Sequence, residues 1–138
     1  MGLAGLIGPV GPRSIRLMPG IDYNNRRLVS VANTENGEVS AGTVFHYRQE
    51  GAIVWATYAG GGILFGTLLA QADADGGLDM RYQHVNAEGE WRSGICRSTP
   101  EILPDGRVRL YERWRWTSGD GSSGESIIEE MLPGKGAA

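Results

Sequence analysis

The chain has 138 residues and a net charge of -3, a size that fits one globular domain. Its 16 acidic residues outnumber 13 basic ones, which argues against a protein held to nucleic acid by charge. One cysteine, Cys96, excludes an internal disulfide and favours a reducing, cytoplasmic setting.

Residues 1–22 show no stable periodicity and are interrupted by glycine and proline. We expect a flexible N-terminal segment or, alternatively, a flap whose apolar side chains cover a pocket: Leu3, Leu6, Ile7 and Val10. No basic region precedes its apolar part, and no stretch of the chain reaches the about 18 apolar residues of a membrane span. We therefore expect neither a signal peptide nor a membrane segment.

Residues 23–133 are expected to form the folded domain, and residues 134–138 to fray. Eight strand-like segments follow one another between turn signals: 27–33, 43–49, 53–58, 63–71, 78–86, 91–99, 107–117 and 125–132. Asn36-Gly37 is a hairpin signal, and Pro100 is expected to end the sixth strand.

Strands joined by such short connections pair antiparallel, and closing the sheet removes its two exposed edges. The sequence thus predicts an all-β fold, an eight-stranded antiparallel up-and-down β-barrel. A barrel of this size is either filled by its own side chains or holds one small ligand.

The seventh strand has the clearest alternation. One face carries apolar residues and a single acid: Val108, Leu110, Glu112, Trp114 and Trp116. The other face carries four arginines and Tyr111. Successive side chains of a strand point to opposite sides, so Glu112 is expected to point into the barrel, where an unpaired carboxylate is costly.

The fifth strand is expected to contribute Tyr82, His84 and Asn86 to the same interior. Weaker alternation on other strands adds six candidates: Tyr47, Trp55, Cys96, Ser98, Ser126 and Glu130. His46 should face outward. We predict His84 as the partner of Glu112, with Tyr82 or Tyr47 as substitutes, and leave open whether Glu112 is a structural acid or serves a ligand.

Other chemistry has little support in the sequence. Cys96 has no neighbouring base for nucleophilic catalysis, and the two histidines show no metal-ligand spacing with the carboxylates. The arginine face lacks a stacking platform for nucleic acid beyond Tyr111. We expect no metal, cofactor, nucleic acid or membrane partner, and leave a homodimer open.

Several segments resemble a family of small bacterial proteins with avidin-like or lipocalin-like barrels. They are Asn33-Thr-Glu-Asn-Gly-Glu-Val, Val54-Trp-Ala-Thr-Tyr-Ala-Gly-Gly, Leu78-Asp-Met-Arg-Tyr-Gln-His-Val-Asn, Ser98-Thr-Pro-Glu, Pro104-Asp-Gly-Arg and Trp116-Thr-Ser-Gly-Asp. Members often carry the label N-acetylglutamate synthase. The Gln/Arg-x-x-Gly-x-Gly/Ala turn of common acetyltransferases is absent, and Gly60-Gly61-Gly62 lies between two predicted strands, so no acetyl-CoA site is expected.

Three functions remain open. The first is a binding barrel that holds a small, partly apolar ligand against Tyr47, Trp55, Tyr82, Trp114 and Trp116. The second is an isomerase or cyclase in the same cavity, with Glu112 or His84 as acid or base. The third is a structural or oligomerisation module with a filled barrel.

Overall fold

The computed structural model describes residues 20–132, and in them alternating strands and short turns give a closed barrel. Its strands are β1 (Arg26–Asn33), β2 (Val44–Glu50), β3 (Ile53–Gly60), β4 (Ile63–Ala72), β5 (Leu78–Asn86), β6 (Trp91–Ile102), β7 (Val108–Trp116) and β8 (Ser123–Glu130). Each strand pairs antiparallel with the next, and β8 closes on β1. The predicted eight-stranded antiparallel barrel is confirmed. The proposed N-terminal flap and frayed C-terminus lie outside the described residues.

The connections divide the barrel into two ends. Residues 34–43, 61–62, 87–90 and 117–122 lie at one end, which we call the mouth. At the other end, the base, the chain before β1 folds across the opening. There Tyr23 is fully buried, its hydroxyl donates to the Gly76 carbonyl, and its ring lies 5.8 Å from that of Tyr47. The base is therefore closed by this chain's own side chains.

Two turn predictions need correction. Pro100 does not end β6, which continues to Ile102 and pairs Pro100 with Leu110 of β7. The pairing of β5 with β6 ends at Ser98, so beyond that residue β6 has only β7 as a neighbour. Proline, which has no N–H to donate, is tolerated at such an edge position. Asn36 and Gly37 do lie in a turn, but the whole β1–β2 connection spans residues 34–43 rather than a two-residue hairpin.

Inward glycines make room for aromatic rings at the mouth end. Gly94 lies opposite Tyr82 and Trp116, and a Cβ there would overlap the Tyr82 hydroxyl. Gly66 lies opposite Tyr58 and His84, and a Cβ would overlap the Tyr58 ring. The large side chains therefore lie flat across the wall, so the inner width of the barrel depends on these glycines.

The facing of β7 is as predicted, but that of β3 is not. All five inward residues of β7 are buried, with Glu112 at 9% exposure. On β3 the inward residues are Val54, Ala56 and Tyr58, and Trp55 is 38% exposed on the outer face, so its predicted interior position is wrong. Both faces of β3 are apolar, and the register settles the choice: the small Ala56 fits between inward Tyr47 and Leu68.

The described residues contain no helix that is long and apolar enough to cross a membrane.

Candidate functional site

A small unfilled space of about 50 Å³ lies inside the barrel beneath the mouth. Five aromatic side chains line it: Phe45, Tyr58, Tyr82, Trp114 and Trp116. Polar side chains interrupt that wall at a few points: Asn33, Glu38, His84, Glu112 and Ser126. Since a cavity needs only about 10–15 Å³ of such volume to hold one water, the space has room for a small group of atoms.

The rings of the wall pack edge to face. The Trp114 and Trp116 centroids are 5.5 Å apart at 60°, and Tyr82 meets Trp116 at 5.8 Å and 64°. Phe45 stacks on Tyr58 across the barrel wall, with centroids 4.8 Å apart. Such contacts stabilise a fixed ring arrangement by about 0.5–1.5 kcal/mol per pair beyond the area buried, so the wall is preformed.

Glu112 is the carboxyl group in this wall, and strand register supplies its partners. Ser98 of β6 and Ser126 of β8 lie directly opposite Glu112 on its two neighbouring strands. Each hydroxyl donates to one carboxylate oxygen, at 3.0 and 3.1 Å respectively. Burial nevertheless raises the pKa of Glu112 to about 7, because the two hydroxyls only partly offset the lost hydration.

The predicted Glu112–His84 pair is wrong, and neither Tyr82 nor Tyr47 replaces His84. The partner of Glu112 on β6 is Ser98, whereas His84 of β5 pairs with Arg92 at the mouth end of β6. Alternation places both side chains inside the barrel, but it does not give their level along the barrel axis. The register separates them, so Glu112 and His84 belong to different polar groups of one cavity.

Glu38, in the β1–β2 connection, organises the polar group at the mouth. One of its carboxylate oxygens lies 2.8 Å from His84 Nε2, and the other accepts from Arg92 at 2.8 Å and Asn86 at 3.1 Å. The Arg92 guanidinium lies 4.2 Å from the centroid of the Trp116 ring. Sequence reasoning missed Glu38 because an acid in a turn shows no periodicity that would point it inward.

His84 is held in one tautomer by its two neighbours. A carboxylate can only accept, so Nε2 donates to Glu38, and Nδ1 accepts from the Tyr58 hydroxyl at 3.0 Å. Burial lowers the pKa of His84, and the hydrogen bond and charge of Glu38 oppose that decrease. A neutral histidine linked to a tyrosine and a carboxylate can shuttle protons between them.

Asn33 enters the site through an irregularity that no sequence pattern marks. The β1–β8 register shifts between Ile127 and Ile128, and beyond the shift Asn33 lies opposite Ser126. Its Nδ2 donates to the Val39 carbonyl at 2.9 Å, while its buried Oδ1 has no donor among the described residues. Asn33, a residue of the cavity lining, therefore has an unsatisfied acceptor that is itself fully buried.

Five of the predicted site residues line this cavity together: Tyr82, His84, Glu112, Trp114 and Trp116. Tyr47 is fully buried outside the cavity lining, and its hydroxyl has no partner among the described residues. Cys96 lines the cavity 3.7 Å from the Ser98 hydroxyl, and burial raises its pKa so that it stays a thiol. Glu130 forms an ion pair with Arg26. His46 alternates along β2 with Phe45 and Tyr47, which point inward, so its side chain is on the outer face.

In residues 20–132 no cluster of three or more His, Cys, Asp or Glu could hold a metal.

Replacing Glu38 by glutamine should lower the pKa of His84 further, because the acceptor charge that opposes the effect of burial is removed. A ring-proton NMR titration measures this, with His46, which lacks contact with Glu38, as an internal reference. Glu90→Gln is the matched control, since Glu90 bonds Asn86 but not His84. An unchanged or higher His84 pKa in Glu38→Gln would contradict the arrangement at the mouth.

Comparison with known proteins gives one match. A family model described as "Avidin-like protein" matches residues 21–131, which include all eight strands. No curated protein and no solved structure matches the chain.

Proposed function

The chain belongs to the avidin-like protein family, and from that premise we propose that its barrel binds a small, partly apolar molecule beneath the mouth. Avidin-like barrels bind small ligands, and this chain has the aromatic cluster that such binding uses. The ligand would lie against Trp114, Trp116 and Tyr82, with Glu112 and His84 directed at its polar atoms.

The observation that carries the proposal is the position of Glu112. An ionised carboxyl at a buried position adds no stability to a barrel that is only filled, since burial there opposes ionisation. Glu112 instead borders unfilled space among aromatic rings. Groups that reduce stability and face a cavity are typical of binding sites.

The volume of the cavity limits the size of the group that can enter it. About 50 Å³ accommodates a headgroup of a few atoms, not a whole ring system. The remainder of a larger ligand would extend through the mouth, where Glu38, His84 and Arg92 form the rim. We propose that the β1–β2 connection, which Glu38 ties to β5 and β6, moves to admit such a ligand.

A screen of small organic compounds by tryptophan fluorescence tests the proposal. We expect at least one compound to give a saturable change that Trp114→Phe reduces, because Trp114 borders the cavity. Trp91→Phe is the matched control: Trp91 is 76% exposed on the outer face, so its loss should leave the response unchanged. The absence of any saturable response, or an equal loss in both variants, would favour a filled structural module.

An enzyme remains the second candidate because of the Tyr58–His84–Glu38 chain. Glu38 orients the histidine, and the neutral ring contacts a hydroxyl that also lines the cavity. This arrangement suits proton transfer in an isomerase or cyclase. Acetyl transfer is outside the proposal, because Gly60–Gly62 leads from β3 into β4 and not into a helix. Turnover of a bound compound that His84→Asn abolishes, while binding persists, would favour the enzyme.

A further inference from the structure

We infer that the ligand presents a positively charged ammonium group, held between the Glu112 carboxylate and the faces of Trp114 and Trp116. The inference rests on the proposed function and names the ligand class for the same cavity. It is carried by four properties of the described residues: a missing counter-charge, aromatic faces, unused acceptors and a small volume.

The counter-charge of Glu112 is missing. Three other partly buried carboxylates of the barrel have cationic partners: Glu38 pairs with Arg92, Glu129 with Arg109, and Glu130 with Arg26. Glu112 has two serine hydroxyls instead, and within residues 20–132 no cation lies near enough to affect its pKa. A buried carboxylate without a cation is unfavourable, so a ligand cation would restore the pairing that the chain omits.

Neighbouring titratable groups do not provide that charge. The groups whose pKa Glu112 raises are Tyr23, Tyr47, Tyr58, Tyr82 and Cys96, and all of them are uncharged near neutral pH. Burial keeps His84 neutral, and Arg92 is already paired with Glu38. Once Glu112 is ionised, the site therefore has one negative charge and no unpaired positive charge among the described residues.

The aromatic wall suits a cation. Indole faces attract cations by about 0.5–2 kcal/mol, more when water is excluded. Trp116 already binds one on its mouth side, where the Arg92 guanidinium lies 4.2 Å from the ring centroid. Trp114, one inward position deeper on β7, has no such partner in the described part of the chain and borders the cavity beside Glu112.

The free hydrogen-bonding groups of the wall are acceptors, as a donor-rich ligand requires. Asn33 Oδ1, itself fully buried next to the cavity, has no donor among the described residues, and the bond from its Nδ2 to Val39 fixes the amide orientation. Each oxygen of Glu112 accepts from one serine and keeps further acceptor capacity. An ammonium group donates only, whereas a carboxylate or phosphate would be repelled by Glu112.

The volume of the cavity fits an ammonium group. About 50 Å³ accommodates a primary or methylated ammonium, and the alkyl part would then point along the aromatic wall toward the mouth. The charged end is thereby removed from water and exchanges hydration for a carboxylate and ring faces.

Three probes of similar shape test the inference on the full chain: n-propylamine, 1-propanol and propionate. At pH 8 the amine is charged, since alkylamines resemble lysine with a pKa near about 10. NMR titration of the tryptophan indole signals should give propylamine at least about tenfold tighter binding than either other probe. At pH 5 the preference should disappear, because Glu112 is then protonated.

Two further measurements separate pairing with Glu112 from general attraction to an acidic protein. Calorimetry at pH 7 in buffers of different ionisation enthalpy should show release of about half a proton per bound amine, because the cation lowers the pKa of Glu112. Glu112→Gln should abolish the amine preference, so that propylamine binds no more tightly than 1-propanol to this variant. Glu125→Gln, on the exposed part of β8, should change neither.

Equal binding of 1-propanol or propionate, or an amine preference that survives Glu112→Gln, would overturn the ammonium inference and leave small-molecule binding intact. Failure of all three probes at tens of millimolar would also overturn the inference, since such binding needs only about 0.6 kcal/mol per non-hydrogen atom, well below the ceiling of about 1.5 for small ligands. The tryptophan fluorescence screen would then test separately whether the barrel binds any small molecule.

Discussion

Replacing Glu112 by glutamine should raise the free energy of unfolding by about 3 kcal/mol at pH 8, because folding raises the pKa of this carboxyl from 4.5 to about 7. At pH 8 the folded protein must keep an ionised carboxylate in an apolar wall. Glutamine has nearly the same shape and no charge. Its amide can accept from Ser98 and donate to Ser126, or the reverse, since serine hydroxyls rotate.

The sign of the pH dependence follows from the direction of the shift. Between about pH 4.5 and 7 the folded state binds the proton of Glu112 more tightly than the unfolded chain. The stabilisation from that proton is therefore complete below about pH 4.5 and is lost as pH rises through about 7. Glu112→Gln should lack this decrease and should match the parent protein near pH 4.5.

Urea denaturation of both proteins from pH 4.5 to 8 measures the effect. Glu125→Gln, which removes an exposed carboxylate from the neighbouring strand, is the control and should follow the parent curve. A Glu112→Gln variant that is less stable than the parent at pH 8 would mean that the two serines require a carboxylate. Glu112 would then be a structural acid, and its place in the proposed binding site would be lost.

Gly60→Ala should destabilise the fold by about 3 kcal/mol or more, the sum of backbone strain and steric overlap. Gly60 has φ of 109°, a conformation that favours glycine, and a Cβ there would overlap the carbonyl oxygen of Gly42. Its own carbonyl accepts from Thr43 at 2.9 Å, so it anchors the connection that carries Glu38. The substitution should therefore also disturb the mouth.

Gly106→Ala is the matched control. Gly106 has a similar φ of 92°, but a Cβ there would meet nothing within 4 Å. The substitution should lower the free energy of unfolding only by the backbone strain of a side chain at positive φ, about 1 kcal/mol. Thermal and urea unfolding of both variants measures the difference, and the His84 ring signals report the mouth. Equal destabilisation in the two variants would show that the contact between Gly60 and Gly42 has no energetic weight.

The sequence by itself determined the fold and, for strands with one apolar and one charged face, which side chains point inward. Period-two alternation depends only on the extended backbone, so it identified the strands, and the short turns between them required antiparallel pairing. Where one face is apolar and the other charged, as on β7, alternation also gave the correct facing of Glu112, Trp114 and Trp116. On β3 both faces are apolar, and the same reasoning placed Trp55 inside when it is outside.

Only the tertiary structure decided which inward side chains meet. Ser98, Glu112 and Ser126 share one height because three strands are in a particular register, and register depends on packing and bulges across the whole barrel. A register shift in the β1–β8 pairing brings Asn33 opposite Ser126, and a turn outside any periodic segment brings Glu38 to His84. Such contacts join residues distant in the chain, and local patterns carry no information about them because they are fixed only when the barrel closes.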